Sequence, residues 1–284
     1  MHSNFSKHGF TLVELAIVLV IAGLLAAGIT VGRSIMHNSE LQRLAGNFDK
    51  YRNAAAIFND KYKALPGDFS KATSLWGTKS ACDATANDNK STATCNGNND
   101  GFIAGSDATL VGSGSEYLEA LWTWQHLGNA GLIEGTYSGS AGVGVTWWKP
   151  GVNMPMGLNE QTGFRLAFAR PGAEIISVTD SYWGMVIGNV LSAEYYHTIT
   201  LGGTSEAPPE ENILGSALTT ADAKAIDTKI DDGKPGRGKF LAAHTVASSN
   251  LCLTTNSITT AEYQTGTSTD DIPKCAVFFI TGIR

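Results

Sequence analysis

From Leu15 to Gly32 the chain runs 18 residues without a charge, LAIVLVIAGLLAAGITVG. At about 1.5 Å per residue, a helix over this run covers roughly 27 Å, close to the hydrocarbon thickness of a bilayer. A secretory signal peptide has a shorter apolar region followed by a small-residue cleavage site. Here the apolar run continues into further helical pattern, which favours a membrane span over a buried core helix. Beyond it the pattern becomes one-sided. Leu41, Leu44, Phe48, Tyr51, Ala55, Phe58, Tyr62 and Leu65 recur at spacings of three and four. Between them Gln42, Arg43, Asn47, Asp49, Lys50, Arg52, Asn59 and Asp60 make a wet face. Pro66-Gly67 is a helix stop. The expected element is one helix from Phe10 to Leu65, about 84 Å long if unbroken. Its outer half packs its seam on a globular body, with a coiled-coil dimer as the competing reading.

The remainder reads as mixed structure. Asp68 to Ser91 is polar and irregular. Ser115 is placed to cap a helix running to about Leu127, with Tyr117, Leu118, Leu121, Trp122 and Gln125 on it and Gly128 as terminator. Phe164–Ala169, Glu174–Thr179, Tyr182–Ile187 and Ala276–Ile280 have strand composition, and Glu194–Leu201 is a weaker strand. A short helix is expected from Thr220 to Ile230, breaking at Asp231-Asp232-Gly233. The fold class is α+β: a long N-terminal helix, membrane-spanning in its first half, packed on a C-terminal body with an antiparallel sheet. Trp122, Trp124, Trp147, Trp148 and Trp183 suit core packing better than an exposed sugar platform.

Composition narrows the function. Charged residues are 16% of the 284 and the formal charge is −6, with no basic run long enough to track a phosphate backbone, so no nucleic-acid partner is expected. Cys82, Cys95, Cys252 and Cys275 permit three pairings. The shortest loops favour Cys82–Cys95 and Cys252–Cys275, in an oxidising compartment. Neither pair has CxxC spacing, which argues against zinc and thioredoxin-like chemistry.

One residue does not suit a plain anchor. Glu14 stands at the head of the apolar run, where an ionisable group costs several kcal/mol unless paired. Were the chain cut after Gly9, Phe10 would carry a new α-amino group one helical turn from Glu14, within a subunit or between staggered neighbours.

Gly9-Phe10-Thr11-Leu12-Val13-Glu14-Leu15, followed directly by the apolar stretch, resembles the start of type IV pilins and type II secretion pseudopilins. The resemblance covers the first sixth of the chain. It implies cleavage between Gly9 and Phe10 by a prepilin peptidase, N-methylation of Phe10, and neutralisation of the Phe10 amine of an adjacent subunit by Glu14. It also implies a pilin-like fold. The leader would be 1–9, the transmembrane and assembly helix 10–32, its amphipathic continuation 33–65 and the globular domain 66–284. Implied partners are other copies of the chain in a homopolymer or mixed filament, the inner membrane before assembly, and the assembly platform of a pilus or secretion system. The body would lie in the periplasm or on an extracellular filament. Many family members carry a proline in the anchor helix; this one has none, with Gly28 and Gly32 as weak points. Gly28-x-x-x-Gly32 also permits close helix approach.

Within the body, Asn96-Gly97-Asn98-Asn99-Asp100-Gly101-Phe102-Ile103, ending at Asp107, approximates a calcium loop. Asn96, Asn98 and Asp100 supply oxygens at positions 1, 3 and 5, glycine permits the turn at 6, the Phe102 carbonyl serves at 7 and Asp107 at 12. Asn replaces Asp twice, and Asp107 replaces the usual bidentate Glu, so weak Ca2+ binding is the expectation against an Asx-Gly turn. Asp227, Asp231 and Asp232 form a second oxygen cluster. Gly233-Lys-Pro-Gly-Arg-Gly238-Lys239-Phe240 has phosphate-loop spacing but ends on Phe where a hydroxyl should hold magnesium. There is no GxSxG and no HExxH, and His126, His197 and His244 are scattered. The expectation is a non-enzymatic filament subunit. The alternative is a minor-pilin adhesin whose large body binds a surface, sugar or DNA; an enzyme on an anchor ranks below both.

Overall fold

The computed structural model describes residues 11–82, 87–104, 118–143, 148–169, 196–203, 215–244, 252–254, 260–267 and 271–283. It divides into two units, Met1–Arg43 and Leu44–Arg284. The long helix α1 (Leu12–Tyr62) begins in the first and ends in the second. In the first unit the large apolar side chains from Leu12 to Met36 are all more than half exposed. The span-length window of this helix has no side chain buried within the chain. A helix that is apolar all round and unpacked needs lipid or other helices as its solvent.

In the second unit α1 is one-sided. Leu44, Phe48, Ala55 and Phe58 are completely buried, whereas Ile57 is half exposed. The helix ends at Tyr62, three residues before Leu65. Lys63 takes a left-handed φ of 54° and donates its N–H to Asn59 O, closing the last turn. Pro66 then disfavours helical backbone at Leu65. The seam was visible in the sequence; the stop came early because a non-glycine residue does the work of a C-terminal glycine.

Among the described residues, two helices follow before the sheet. Helix α2 (Ala72–Trp76) lies in the stretch expected to be irregular. Helix α3 (Glu119–Asn129) is buried on every side from Glu119 to Leu127. Its expected cap, Ser115, lies outside the described residues. Gly128 is not its terminator. The helix passes through Gly128, where any Cβ would sit 2.9 Å from the Gly135 carbonyl oxygen, and turns at Gly131 with φ 71°. Gly128 is therefore a close-approach glycine.

Four antiparallel strands, β1 (Thr162–Ala169), β2 (Tyr196–Gly203), β3 (Phe240–His244) and β4 (Cys275–Ile280), lie in the order β1-β2-β4-β3. Phe164 is opposite Leu201, Leu201 opposite Val277, and Leu241 opposite Phe278. Strand β1 starts two residues earlier than its composition suggested, and β2 is shifted by two. Strand β3 was not assigned in the sequence. The expected strands 174–179 and 182–187 lie outside the described residues. Helix α4 (Thr220–Ile230) has its expected bounds; Thr219 Oγ1 caps it by accepting the Asp222 N–H.

The core of this unit centres on Phe48. Its ring meets Phe164 of β1 at 5.3 Å, Phe240 of β3 at 5.5 Å and Phe279 of β4 at 5.6 Å, the first two edge-to-face. Tyr51 sits edge-on to Trp124 and Phe164 at 5.0 Å. Trp122, Trp124 and Trp148 are buried, as core packing requires. Trp147 and Trp183 lie outside the described residues. Cys82 is bonded to Cys95 and Cys252 to Cys275, with Cα–Cα distances of 5.7 and 5.1 Å.

Candidate functional site

Helix α1 starts at a reciprocal cap. Thr11 N–H and Thr11 Oγ1–H donate to Glu14 Oε2 at 2.8 and 2.7 Å, while Glu14 N–H donates to Thr11 Oγ1 at 3.3 Å. This is the Thr-x-x-Glu capping box, in which the side chains of the cap and the third helical residue satisfy each other's backbone donors. Glu14 thus stands on the first turn of a helix that is otherwise apolar for its next five turns. Gly9 and Phe10 lie outside the described residues.

The predicted calcium loop is differently assembled. Asn96 Oδ1 turns away to accept the Thr73 N–H at 2.9 Å. Asn98 and Asp100 stay together, Asn98 Oδ1 accepting the Asp100 N–H and Asn98 Nδ2 donating to Asp100 Oδ2, both at 3.0 Å. Phe102 exposes its ring, and its N–H donates to Asp100 Oδ1. Asp107 lies outside the described residues. The groups that gather instead are Asp68, Asp100 and Glu119, whose carboxylate oxygens lie within 4.8 Å of one another.

Asp68 and Glu119 are buried, and both use their oxygens on backbone amides. Asp68 accepts the N–H groups of Asp100 and Gly101 at 3.0 and 2.9 Å. Glu119 accepts those of Asn98 and Ala104, both at 3.0 Å. His197, on β2, accepts the Ile103 N–H through Nε2 at 3.1 Å while its Nδ1 faces the Ile283 carbonyl. The N–H groups of Asn98, Asp100, Gly101, Ile103 and Ala104 are thereby satisfied by three side chains distant in the chain. Burial raises Asp68 to about 6 and Glu119 to about 7, against the hydrogen bonds that favour their charged forms. Burial lowers His197 to about 4. His126 on α3 behaves alike: Nδ1 accepts the Gly67 N–H, Nε2 faces Thr94 Oγ1 and Cys95 O, and burial lowers it to about 4. Both are core histidines that brace backbone.

Asp68 and Glu119 were missed in the sequence. Asp68 follows a Pro-Gly turn like any loop residue, and Glu119 looks like an ordinary first-turn helix acid. Nothing local marks either as buried.

The phosphate-loop spacing at 233–240 is also resolved. Asp231 Oδ2 accepts the N–H groups of Lys239 and Phe240, so the anion held by this turn is the chain's own carboxylate. A side chain at Gly238 would run into it. Asp227 accepts the Gly233 N–H and the Tyr263 hydroxyl, and burial lifts it to about 6. The side chain of His244 is not among those described.

These features define an α+β protein with a terminal apolar helix suited to a membrane and a disulfide-bonded body. The family described as the prokaryotic N-terminal methylation motif matches residues 4–30, a segment that includes Gly9, Phe10 and Glu14 and is the hallmark of type IV pilins and pseudopilins. That match supports a pilin- or pseudopilin-type subunit in general, and the motif implies processing by a prepilin peptidase and assembly with pilin-type subunits. No curated protein and no solved structure matches the chain.

Proposed function

We propose that this chain is a structural, non-enzymatic subunit of a type IV pilus-like or type II secretion pseudopilus filament. Cleavage after Gly9 leaves a mature chain beginning at Phe10, N-methylated, held in the inner membrane by residues 10–32 and continuing through 33–65 to a periplasmic body at 66–284. Assembly on the pilus or secretion platform then pairs Glu14 with the Phe10 amine of a neighbour. The observation that carries this reading is Glu14 itself: a carboxylate on the first turn of a helix whose following apolar side chains are exposed all round. Such a group is costly in lipid unless a cation meets it.

The experiment is Glu14→Ala in the full chain. Processing and membrane insertion stay intact and filaments are lost. Normal filaments from that variant would remove the pairing. Mass spectrometry of the mature N-terminus, from membranes and from sheared filaments, tests cleavage and methylation together.

Weak calcium binding in the body is a second reading, supported by the approach of Asp68, Asp100 and Glu119. Calcium should raise the thermal midpoint of the protein but not of Asp100→Ala; equal titrations would retire the site.

A further inference from the structure

We propose that Leu75 and Trp76, with Lys61, Lys63 and Lys71 around them, form a docking surface for an acidic glycan, one whose sugar rings carry carboxylates. This surface belongs to the body and is independent of the Glu14 pairing. Helix α2 is held down by Ala72, which is fully buried, and by Thr73, whose N–H donates to Asn96 Oδ1. Its last two residues are not covered. Leu75 is 54% exposed and Trp76 is half-buried. The Trp76 ring is fixed from within the body, 5.5 Å from His126, 5.8 Å from Tyr62 and 6.2 Å from Phe69. An indole braced in this way, with a bare leucine beside it, is a rigid apolar platform that costs little ordering when a ligand settles on it.

The exposed charges between Lys61 and Trp76 are all positive. Lys61, Lys63 and Lys71 face solvent, while the acid of this stretch, Asp68, is buried with its oxygens on the Asp100 and Gly101 N–H groups. Among the described residues none of these lysines forms an ion pair, although exposed Asp60 adjoins Lys61 in sequence. Lys61 Nζ stands instead 5.0 Å from the centre of the Tyr62 ring. A cationic and partly apolar surface on a chain of formal charge −6 selects a ligand that is anionic and has an apolar face. A uronate sugar has both. The C–H groups on one face of its ring lie against an indole, and the carboxylate at its rim meets a lysine in a charge-assisted bond. Nucleic acid fits less well, because neutralising successive phosphates takes a longer track of cations than three lysines on an acidic chain provide.

The test is calorimetric titration of the full, detergent-solubilised chain with an oligogalacturonate at low ionic strength, where exposed charges are least screened. Three variants accompany the wild type: Lys63→Gln combined with Lys71→Gln, Leu75→Ser, and Lys224→Gln combined with Lys229→Gln. The last pair removes two exposed lysines from α4 and so controls for charge elsewhere on the body. All the substituted side chains are exposed, and a thermal melt checks that each variant is folded. Wild type is expected to bind the uronate and not a neutral malto-oligosaccharide of equal length. The association constant should fall roughly five-fold when Lys63 and Lys71 are neutralised, the order of losing two exposed ion pairs. Leu75→Ser should lower it by a similar roughly five-fold, from lost apolar contact, and the α4 pair should leave it unchanged. No binding by wild type, equal losses from the two lysine pairs, or an unchanged constant in Leu75→Ser overturns the proposal. Tighter binding of single-stranded oligothymidylate than of the uronate overturns it as well, and assigns the surface to nucleic acid.

Discussion

Replacing Glu119 by Gln should remove the loss of stability with rising pH that this buried carboxyl beside loop 96–104 imposes. In the wild-type chain Glu119 Oε1 and Oε2 accept the N–H groups of Asn98 and Ala104. Gln keeps one acceptor and turns an NH2 toward the other amide, leaving a buried donor facing a donor, at a cost of about 1–3 kcal/mol. Against this stands the charge. Burial moves the Glu119 carboxyl from its ordinary 4.5 to about 7, with Asp68 and Asp100 adding like-charge repulsion. The native state therefore keeps a proton that the unfolded chain releases near 4.5. Native stability is highest below 4.5 and falls as pH rises to about 7, by about 3 kcal/mol for a carboxyl moved this far. Part of that proton belongs to Asp68, which is close enough to share it. Gln does not titrate. Near pH 4.5 the variant should be the less stable protein by about 1–3 kcal/mol; by pH 8 the difference should have moved about 3 kcal/mol in its favour. Urea unfolding of detergent-solubilised protein, followed by tryptophan fluorescence at both pH values, gives the two differences. Equal differences at pH 4.5 and pH 8 would refute the reasoning.

Three further outcomes follow from the packing and the buried imidazoles. Phe48→Ala removes the ring shared by β1, β3 and β4 and should cost about 3–5 kcal/mol, lowering the thermal midpoint by roughly 10 °C for a body of this size; a shift below 2 °C in a thermal melt would contradict its central place. Gly67→Ala adds a Cβ within 2.4 Å of the Glu119 carbonyl oxygen at a φ of +91°, so it should destabilise by at least about 2 kcal/mol and reduce the yield of folded protein. His126 and His197 should remain neutral until about pH 4 in a proton-detected titration of their imidazoles. Their lowered values mean stability present above the unfolded value near 6.5 and lost as pH falls toward 4; imidazoles titrating near 6.5 would show that they are not buried as described.

What the sequence revealed depended on whether a contact has a local signature. The seam from Leu44 to Phe58 repeats with helical period, so its buried face could be read directly. Helix α4 announces itself through its break at Asp231-Asp232-Gly233. Strand β4 is a compact apolar run. Strand β3, Phe-Leu-Ala-Ala-His, has neither alternation nor β-branched residues, and only its pairing with β4 makes it a strand. The five residues of α2 are too few for a period to show. In the candidate sites, Glu14 was legible because a charge inside an apolar run needs no partner to be conspicuous. The calcium pattern at 96–107 drew attention to the right loop but named only its own residues. Its actual braces, Asp68, Glu119 and His197, come from elements scattered along the chain, and no spacing rule links them.

The last strand in the chain, β4, is hydrogen-bonded on both sides, to β2 and to β3, and its first residue is tied to Cys252. Strand β2 can pair with β1 beforehand, but β3 has no place in the sheet until β4 joins the two parts. Loss of β4 would leave the β1–β2 pair with no link to β3.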